Sequence, residues 1–334
     1  MGGEAGYGPV AMELLRVLVL VLAGLCAATS VLGLMGAFSG ALDILTHFAP
    51  VTLTAGLAAL VLGLATGVGA PGLTLSLVAI GGCLVLIVPE FLAGRGCDRD
   101  LGGGQRLKVV QFNLWARNVD PRATLAWIEA EDADIVVLQE VERASRGAPA
   151  ALARFYPHRV PEVVFASSAV ILAKVAPSDQ GLLFSTAAGR RTAAAWASFG
   201  EGESRFTVVG AHLAWPTTPR LQQAQLRRLA EGLARFDPRT AILTGDFNLT
   251  PWSFALRRLD ARLGLKRRTR AMATWPARDI GHFPSSLPFA FLPIDHVYAG
   301  GDWKTVEVRR GPRLGSDHFP LVVTLARAEI PGGS

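Results

Sequence analysis

The sequence predicts three membrane-spanning helices followed by an α/β domain of many strands. Three observations predict this. Residues 17–42 and 44–89 contain no Asp, Glu, Lys or Arg. Beyond a Gly-rich charged segment, short apolar runs alternate with segments of helical periodicity. Several of those runs border carboxylate, amide and imidazole groups, as in Gly245-Asp246-Phe247-Asn248 and Ser316-Asp317-His318.

The membrane part comes first. A helix needs about 20 apolar residues to cross a bilayer. The second charge-free stretch is about twice that long, and Gly67-Val68-Gly69-Ala70-Pro71-Gly72 breaks it with turn chemistry. Spans are therefore expected at residues 14–36, 46–66 and 72–92. A cleaved signal peptide would account for the first stretch alone. A buried core hairpin would show polar faces, and these segments show none. Leu25 directly before Cys26 argues against a lipoprotein cleavage site.

Charge is segregated. Residues 1–94 hold one basic residue, Arg16, and four acidic ones. The remainder carries 32 basic and 23 acidic residues, a net of +9. Such a domain suits anionic headgroups, phosphorylated substrates or nucleic acid, or is simply soluble. The run Arg267-Arg268-Thr269-Arg270 reads as a solvated helix end. Of three cysteines only Cys97 lies outside the expected spans. A disulfide framework or Cys-ligated zinc is thereby excluded from the soluble part.

Three domain segments are expected: a membrane domain at 1–94, a linker at 95–106, and a catalytic domain at 107–327. In the last, residues 107–113 alternate and end on a polar pair, as an opening strand does. Residues 121–133 form a helix, with Asp120 as its cap and Pro121 in its first turn. Strands follow at 134–138, 169–173, 206–210, 241–245, 294–298 and 321–325. Helices follow at 219–236 and 252–263. One wound sheet and two packed sheets both fit this alternation.

Polar groups stand at five strand ends: Asn113, Glu140, His212, Asp246 with Asn248, and Asp317 with His318. Asp295-His296 lies just inside a sixth. Singly, each is ordinary turn or capping chemistry. Together they predict one metal-dependent hydrolytic centre.

In this order the motifs resemble those of the endonuclease/exonuclease/phosphatase superfamily. They are Phe112-Asn113-Leu114-Trp115, Leu138-Gln139-Glu140, Ala211-His212-Leu213, Gly245-Asp246-Phe247-Asn248, Ile294-Asp295-His296 and Ser316-Asp317-His318. The resemblance covers roughly residues 107–327. It implies a DNase I-like two-sheet β-sandwich flanked by helices, with the site at one edge. It implies Mg²⁺ (or Mn²⁺) held by Glu140, Asn113 and Asp317, since such ions take oxygen ligands and keep several waters. His318 becomes the acid–base group with Asp295 fixing its ring. Asp246 and Asn248 orient the attacking water or a phosphoryl oxygen, and His212 hydrogen-bonds the phosphate. In nuclease members a carboxylate backs the histidine mapped to His212; Glu162 is the candidate here. His158, His282 and His296 are read as structural. Thr274-Trp275-Pro276 falls where members carry a substrate-side loop, and a packing role fits equally.

The three spans also make the chain resemble the bacterial membrane-bound VanJ-like branch. That implies an extracytoplasmic domain on the cell membrane acting on a lipid-linked phosphate or pyrophosphate. Arg95, Arg99, Arg106 and Lys108 beside the last span point the other way, to the cytoplasm. The outward orientation is the expectation adopted, because long domains translocate despite flanking charge. Competing readings are a Mg²⁺-dependent nuclease and a non-catalytic membrane receptor of the same fold.

Overall fold

The computed structural model describes residues 7–93, 106–162, 167–185, 192–277 and 290–327. Residues 95–105 of the expected linker, Cys97 among them, and His282 lie outside the described residues. The chain divides into two compact units.

The first unit takes in residues up to Ala93 together with Thr250–Leu256. It holds α1 (Tyr7–Leu34), α2 (Ala49–Thr66) and α3 (Gly69–Leu92). All three are long and apolar enough to cross a membrane. Their packing is inside-out relative to a water-soluble bundle. The buried positions of α2 are Ala49, Thr52, Gly56, Ala59, Gly63 and Thr66, all small and spaced by three or four residues. Val61 and Leu64 instead point outward, each 64% exposed. Small residues inside allow backbones to approach closely, and large aliphatics outside suit lipid. Gly82 shows how closely: a Cβ there would stand 2.1 Å from Ser30 Oγ on α1. Gly67 ends α2 at φ +70°, the left-handed cap that glycine adopts at no steric cost.

The second unit takes in residues 94–249 and 257–334. Its elements in chain order are β1 (Arg106–Asn113), α4 (Pro121–Glu131), β2 (Ile135–Val141), α5 (Ala148–Ala151), β3 (His158–Val160), β4 (Ser167–Ala173), β5 (Asp179–Ser185) and β6 (Thr192–Phe199). There follow β7 (Phe206–His212), α6 (Pro219–Leu233), β8 (Ile242–Asp246), α7 (Phe254–Leu263, which belongs to this unit from Arg257 on), β9 (Lys266–Arg267), β10 (Asp295–Ala299), β11 (Trp303–Arg310) and β12 (Leu321–Arg327). They form two six-stranded sheets, ordered β11-β12-β1-β2-β4-β3 and β5-β6-β7-β8-β10-β9. The two-sheet alternative is therefore the correct one.

Each sheet centres on one parallel pair, β1 with β2 and β7 with β8. A parallel pair needs a crossover, which α4 and α6 supply. Alternation sends one face of each strand between the sheets. Val109, Val137 and Ile171 from one sheet meet Ala195, Val208, Ile242 and Val297 from the other. The opposite face of the first sheet, with Val110, Phe112, Val136 and Leu138, packs under α4 at Ile128 and under Leu152 and Tyr156.

Asp120 caps α4 by accepting from the Ala123 N–H at 3.0 Å. The Arg267–Arg270 expectation is corrected. Arg267 lies in β9, is buried and pairs with Asp260 at 3.1 Å. Arg268 donates to the carbonyls of Gly300 and Trp303. These cations serve as internal hydrogen-bond donors, which a local charge count does not register.

Candidate functional site

The parallel pairs place four strand C-termini at one edge. Asn113 ends β1, Glu140 lies one residue from the end of β2, and His212 and Asp246 end β7 and β8 as register partners. Antiparallel neighbours bring their starts to the same edge. Asp295 opens β10 directly opposite Asp246. β12 begins with Leu321 opposite Gln111, three residues after His318. All eight residues expected from the sequence meet in one connected cluster.

Backbone strain shapes this edge. Glu140 and Asn248 carry φ of +54° and +52°, uncommon for residues with a Cβ. Gly245 has φ +151°, and a Cβ there would stand 1.9 Å from the Ala211 carbonyl oxygen. Only glycine permits β8 to pass β7 this closely just before Asp246.

Asn113 is the hub. Its Nδ2 donates to Asp246 Oδ2 at 2.9 Å and to Glu140 Oε1 at 3.2 Å, while its Oδ1 accepts from Trp115 N–H. Glu140 Oε2 accepts from Ala116 N–H at 3.0 Å. Burial acts to raise the Glu140 pKa, but His212, the Ala116 N–H, the Asn113 amide and His318 together hold it below the ordinary value. His212 Nε2 stands 4.0 Å from Glu140 Oε1 and 3.7 Å from Asp246 Oδ2. Asn248 N–H donates to Asp246 Oδ1 at 2.9 Å, and its Nδ2 donates to Leu213 O.

His318 is the electrostatic centre. Its Nδ1 lies 2.8 Å from Asp295 Oδ2, and its Nε2 lies 3.7 Å from Asp246 and 4.0 Å from Asp317. A carboxylate can only accept, so Nδ1 carries the proton toward Asp295. Burial acts to lower the His318 pKa, yet Asp295, Asp246 and Asp317 drive it well above 6.5. Asp295 is held below its ordinary value against burial, by His318, Thr274 and Gln111. Asp246, with burial dominant, is pushed up to about 6.

Sequence reasoning missed the residues behind this front. Gln111 Nε2 donates to Asp295 Oδ1 at 2.8 Å, and Thr274 Oγ1 donates to Asp295 Oδ2 at 2.5 Å. Trp275 Nε1 donates to Asp317 Oδ2 at 3.3 Å. The Thr274-Trp275 pair therefore braces two carboxylates of the cluster. Gln111 offered a signal, a lone amide inside an apolar strand.

Glu162 is corrected. Its carboxylate accepts from Gln180 on the exposed surface, and His212 Nδ1 is buried with no hydrogen-bond partner among the described residues. His296 is fully buried, with Nε2 2.8 Å from Leu249 O, a structural position.

The oxygen donors suit a hard divalent cation. Asp317 Oδ1 is buried with no hydrogen-bond partner among the described residues, His318 Nε2 standing 4.0 Å away, and Asp317 is pushed up by burial and by the nearby Glu140. Two carboxylates in mutual repulsion with an orphaned oxygen are what a cation would relieve. Asp246, Asp295 and His318 also place ligand atoms within 4.8 Å of one another. Both oxygens of Asp295 are already engaged by Gln111, Thr274 and His318, so that trio reads as a hydrogen-bonded imidazole–carboxylate array.

The model of the Endonuclease/Exonuclease/phosphatase family matches residues 110–318, from the strand before Asn113 to His318 itself. The chain belongs to this family. Members are usually hydrolases acting on phosphoesters. No curated protein matches the chain. Among solved structures, truncated TDP2 of Caenorhabditis elegans is 19% identical with a TM-score of 0.53, covering 68% of this chain and 100% of that one. SmcL is 18% identical with a TM-score of 0.51, covering 66% and 99%. A functionally unknown conserved protein from Enterococcus faecalis V583 is 18% identical with a TM-score of 0.50, covering 66% and 100%. At these identities the likeness shows the endonuclease/exonuclease/phosphatase fold, and the three apolar helices lie outside the family match.

Proposed function

We propose that this protein is a membrane-anchored, divalent-metal-dependent phosphoesterase whose substrate is a lipid-linked phosphate ester or pyrophosphate. The observation that carries the reading is His318, enclosed by Asp295, Asp246 and Asp317 within hydrogen-bonding reach of one carboxylate and about 4 Å of two more. Structural histidines are rarely built into three carboxylates, and such environments cluster at catalytic sites.

Glu140, Asn113 and Asp317 are the residues that would hold Mg²⁺ or Mn²⁺. When bound, the ion supplies charge neutralisation at the phosphoryl oxygens. The remaining roles belong to the chain. Asp295 fixes the His318 tautomer and stabilises its cationic form, leaving Nε2 to move a proton at the reacting group. Asp246, braced by Asn113 and the Asn248 N–H, orients a water or phosphoryl oxygen. His212, 3.7 Å from Asp246 Oδ2, donates to the phosphate.

The three apolar helices favour a lipid-borne substrate, because tethering raises its effective concentration. The reading puts the domain outside the cytoplasm, and the VanJ-like resemblance supports this; protease protection in intact spheroplasts tests it. The net +9 of the region after residue 94 favours nucleic acid as a second reading. The decisive experiment is a phosphate-release screen with the full chain in detergent across lipid pyrophosphates, phospholipids and nucleic acids, with Mg²⁺ or EDTA. Release from lipid substrates with Mg²⁺ alone supports the reading. Preferential cleavage of nucleic acid, or no turnover of any phosphoester, overturns it.

A further inference from the structure

At the N-terminal ends of the parallel strands of the second unit, three cations are held in ion pairs: Lys174 with Asp132 at 2.6 Å, Arg205 with Asp179 at 3.5 Å and Arg239 with Asp302 at 3.1 Å. At the opposite edge, which carries the site, Arg310 and Arg313 stack on the Phe319 ring, at 4.1 and 5.7 Å, but four other arginines are not engaged in this way. Arg117, Arg143, Arg146 and Arg220 are exposed, and their side chains make no ion pair or hydrogen bond among the described residues. Each follows a strand that ends in the cluster. Arg117 is next to Ala116, whose N–H binds Glu140. Arg143 and Arg146 come three and six residues after Glu140, and Ala144 N–H ties their loop to Ala116 O. Arg220 is the second residue of α6, eight residues after His212.

Large apolar side chains stand exposed on the same loops. Val119 is 63% exposed, and its N–H bonds Gly315 O, just before Ser316-Asp317-His318. Trp215, three residues after His212, is 55% exposed, and Leu221 beside Arg220 is 38% exposed. This edge thus combines arginines that have no side-chain partner among the described residues with exposed tryptophan and aliphatics. It is the composition that binds at the headgroup level of an anionic bilayer: arginine meets phosphate, tryptophan occupies the interface, and aliphatics enter the acyl boundary.

We propose that the Arg117–Arg143–Arg146–Trp215 rim seats the mouth of the site on an anionic lipid surface. Lipid is favoured over single-stranded nucleic acid because Val119 and Leu221 have no π-face on which a base could stack. Three apolar helices in the same chain put a bilayer within reach. The inference builds on the phosphoesterase reading for its purpose, but its test does not require turnover.

The full chain is placed in nanodiscs of phosphatidylcholine, with or without phosphatidylglycerol, using lipids brominated along the acyl chain. The Trp215 emission is isolated as the difference between wild type and Trp215→Phe. Quenching in anionic discs, reduced in neutral discs and by 0.5 M salt, is the expected result. In an Arg117→Gln/Arg143→Gln/Arg146→Gln variant the docking equilibrium falls about a hundredfold, at roughly 1 kcal/mol per arginine near an anionic surface and 1.4 kcal/mol per tenfold. The corresponding triple lysine variant keeps the charge and retains quenching, which separates lost charge from lost fold. Emission from Trp215 that is equally unquenched in anionic and neutral discs overturns the proposal. So does quenching by a single-stranded oligonucleotide that brominated lipid does not reproduce. If wild type shows the quenching but hydrolyses no phosphoester, the phosphoesterase reading fails while the docking rim stands.

Discussion

Asp246 and Asp295 face each other as register partners across β8 and β10, and His318 reaches both, 2.8 Å from Asp295 and 3.7 Å from Asp246. The two carboxylates share one imidazole but not one environment. Asp295 receives Gln111, Thr274 and the His318 ring, and its pKa is lowered. Asp246 receives amides from Asn113 and Asn248, but burial outweighs them and pushes it up to about 6. Carboxylates whose pKa values are driven apart take different tasks.

Asp295→Asn should therefore separate orientation from charge. The amide can still bond Thr274 and Gln111 but offers His318 no negative partner. Turnover of a metal-dependent phosphodiester should fall by about 10²–10⁴, with KM changed far less. The imidazole, no longer held protonated by Asp295, should titrate at lower pH by NMR. Unchanged kcat would remove His318–Asp295 from the reaction.

In the proposed function, Glu140 is the principal metal ligand. Chelation with EDTA should abolish activity, and Mg²⁺ or Mn²⁺ should restore it. Glu140→Ala should cost several kcal/mol in the barrier, the scale of losing a key charge-stabilising group. A direct Mg²⁺ titration by calorimetry provides the check, since weaker binding must accompany the loss. Near-full turnover with unaltered Mg²⁺ affinity would exclude Glu140 as a ligand.

Gly245→Ala tests the backbone beneath the site. The added methyl meets the Ala211 carbonyl oxygen at 1.9 Å, where backbone rather than a flexible side chain must move. The cost is about 1–3 kcal/mol or more, read as a fall of several degrees in the melting temperature. Activity should fall further than stability, because His212 and Asp246 face each other across this same ladder.

Much of this was legible in the sequence, for one physical reason. Parallel-strand ends are buried runs that stop at polar groups, so Asn113, Glu140, His212 and Asp246 announced themselves by position as well as type. The strands that went unread lacked that contrast. β6 is Thr-Ala-Ala-Ala-Trp-Ala-Ser-Phe, whose alanines favour helix until the sheet overrides them. β5 begins Asp-Gln-Gly and shows no apolar run at its start. Gln111, Thr274 and Trp275 went unread as supports because what they hold lies far away in sequence; the Gln111–Asp295 bond spans 184 residues. Long-range partnership of this kind leaves no local pattern.

Glu131 provides a test of stability away from the site. Burial raises its pKa, but Arg309 and Lys108 outweigh that and hold it below 4.5. A depressed carboxylate contributes stability that is fully present above its unfolded pKa and is lost as pH falls through the folded value. Melting temperature should thus decline on acidification below about pH 4.5. Glu131→Gln should lower the melting temperature at pH 7 and flatten that acid limb. An equally steep limb in the variant would place the acid-labile charge elsewhere.

Trp275 separates a bracing residue from a packing one. Its indole N–H is the side-chain donor to Asp317 Oδ2, while its ring lies 6.3 Å from that of Phe291. Trp275→Phe preserves most of the ring contact and deletes the donor. If Trp275 positions Asp317, Mg²⁺ affinity measured by calorimetry should fall about 10–100-fold, the usual effect of removing an outer hydrogen bond to a ligand. KM for substrate at saturating metal should stay near wild type. If Trp275 only packs, Mg²⁺ affinity should hold and the melting temperature alone should fall. Trp275→His, which can restore an N–H toward Asp317, should recover part of the metal affinity only in the first case.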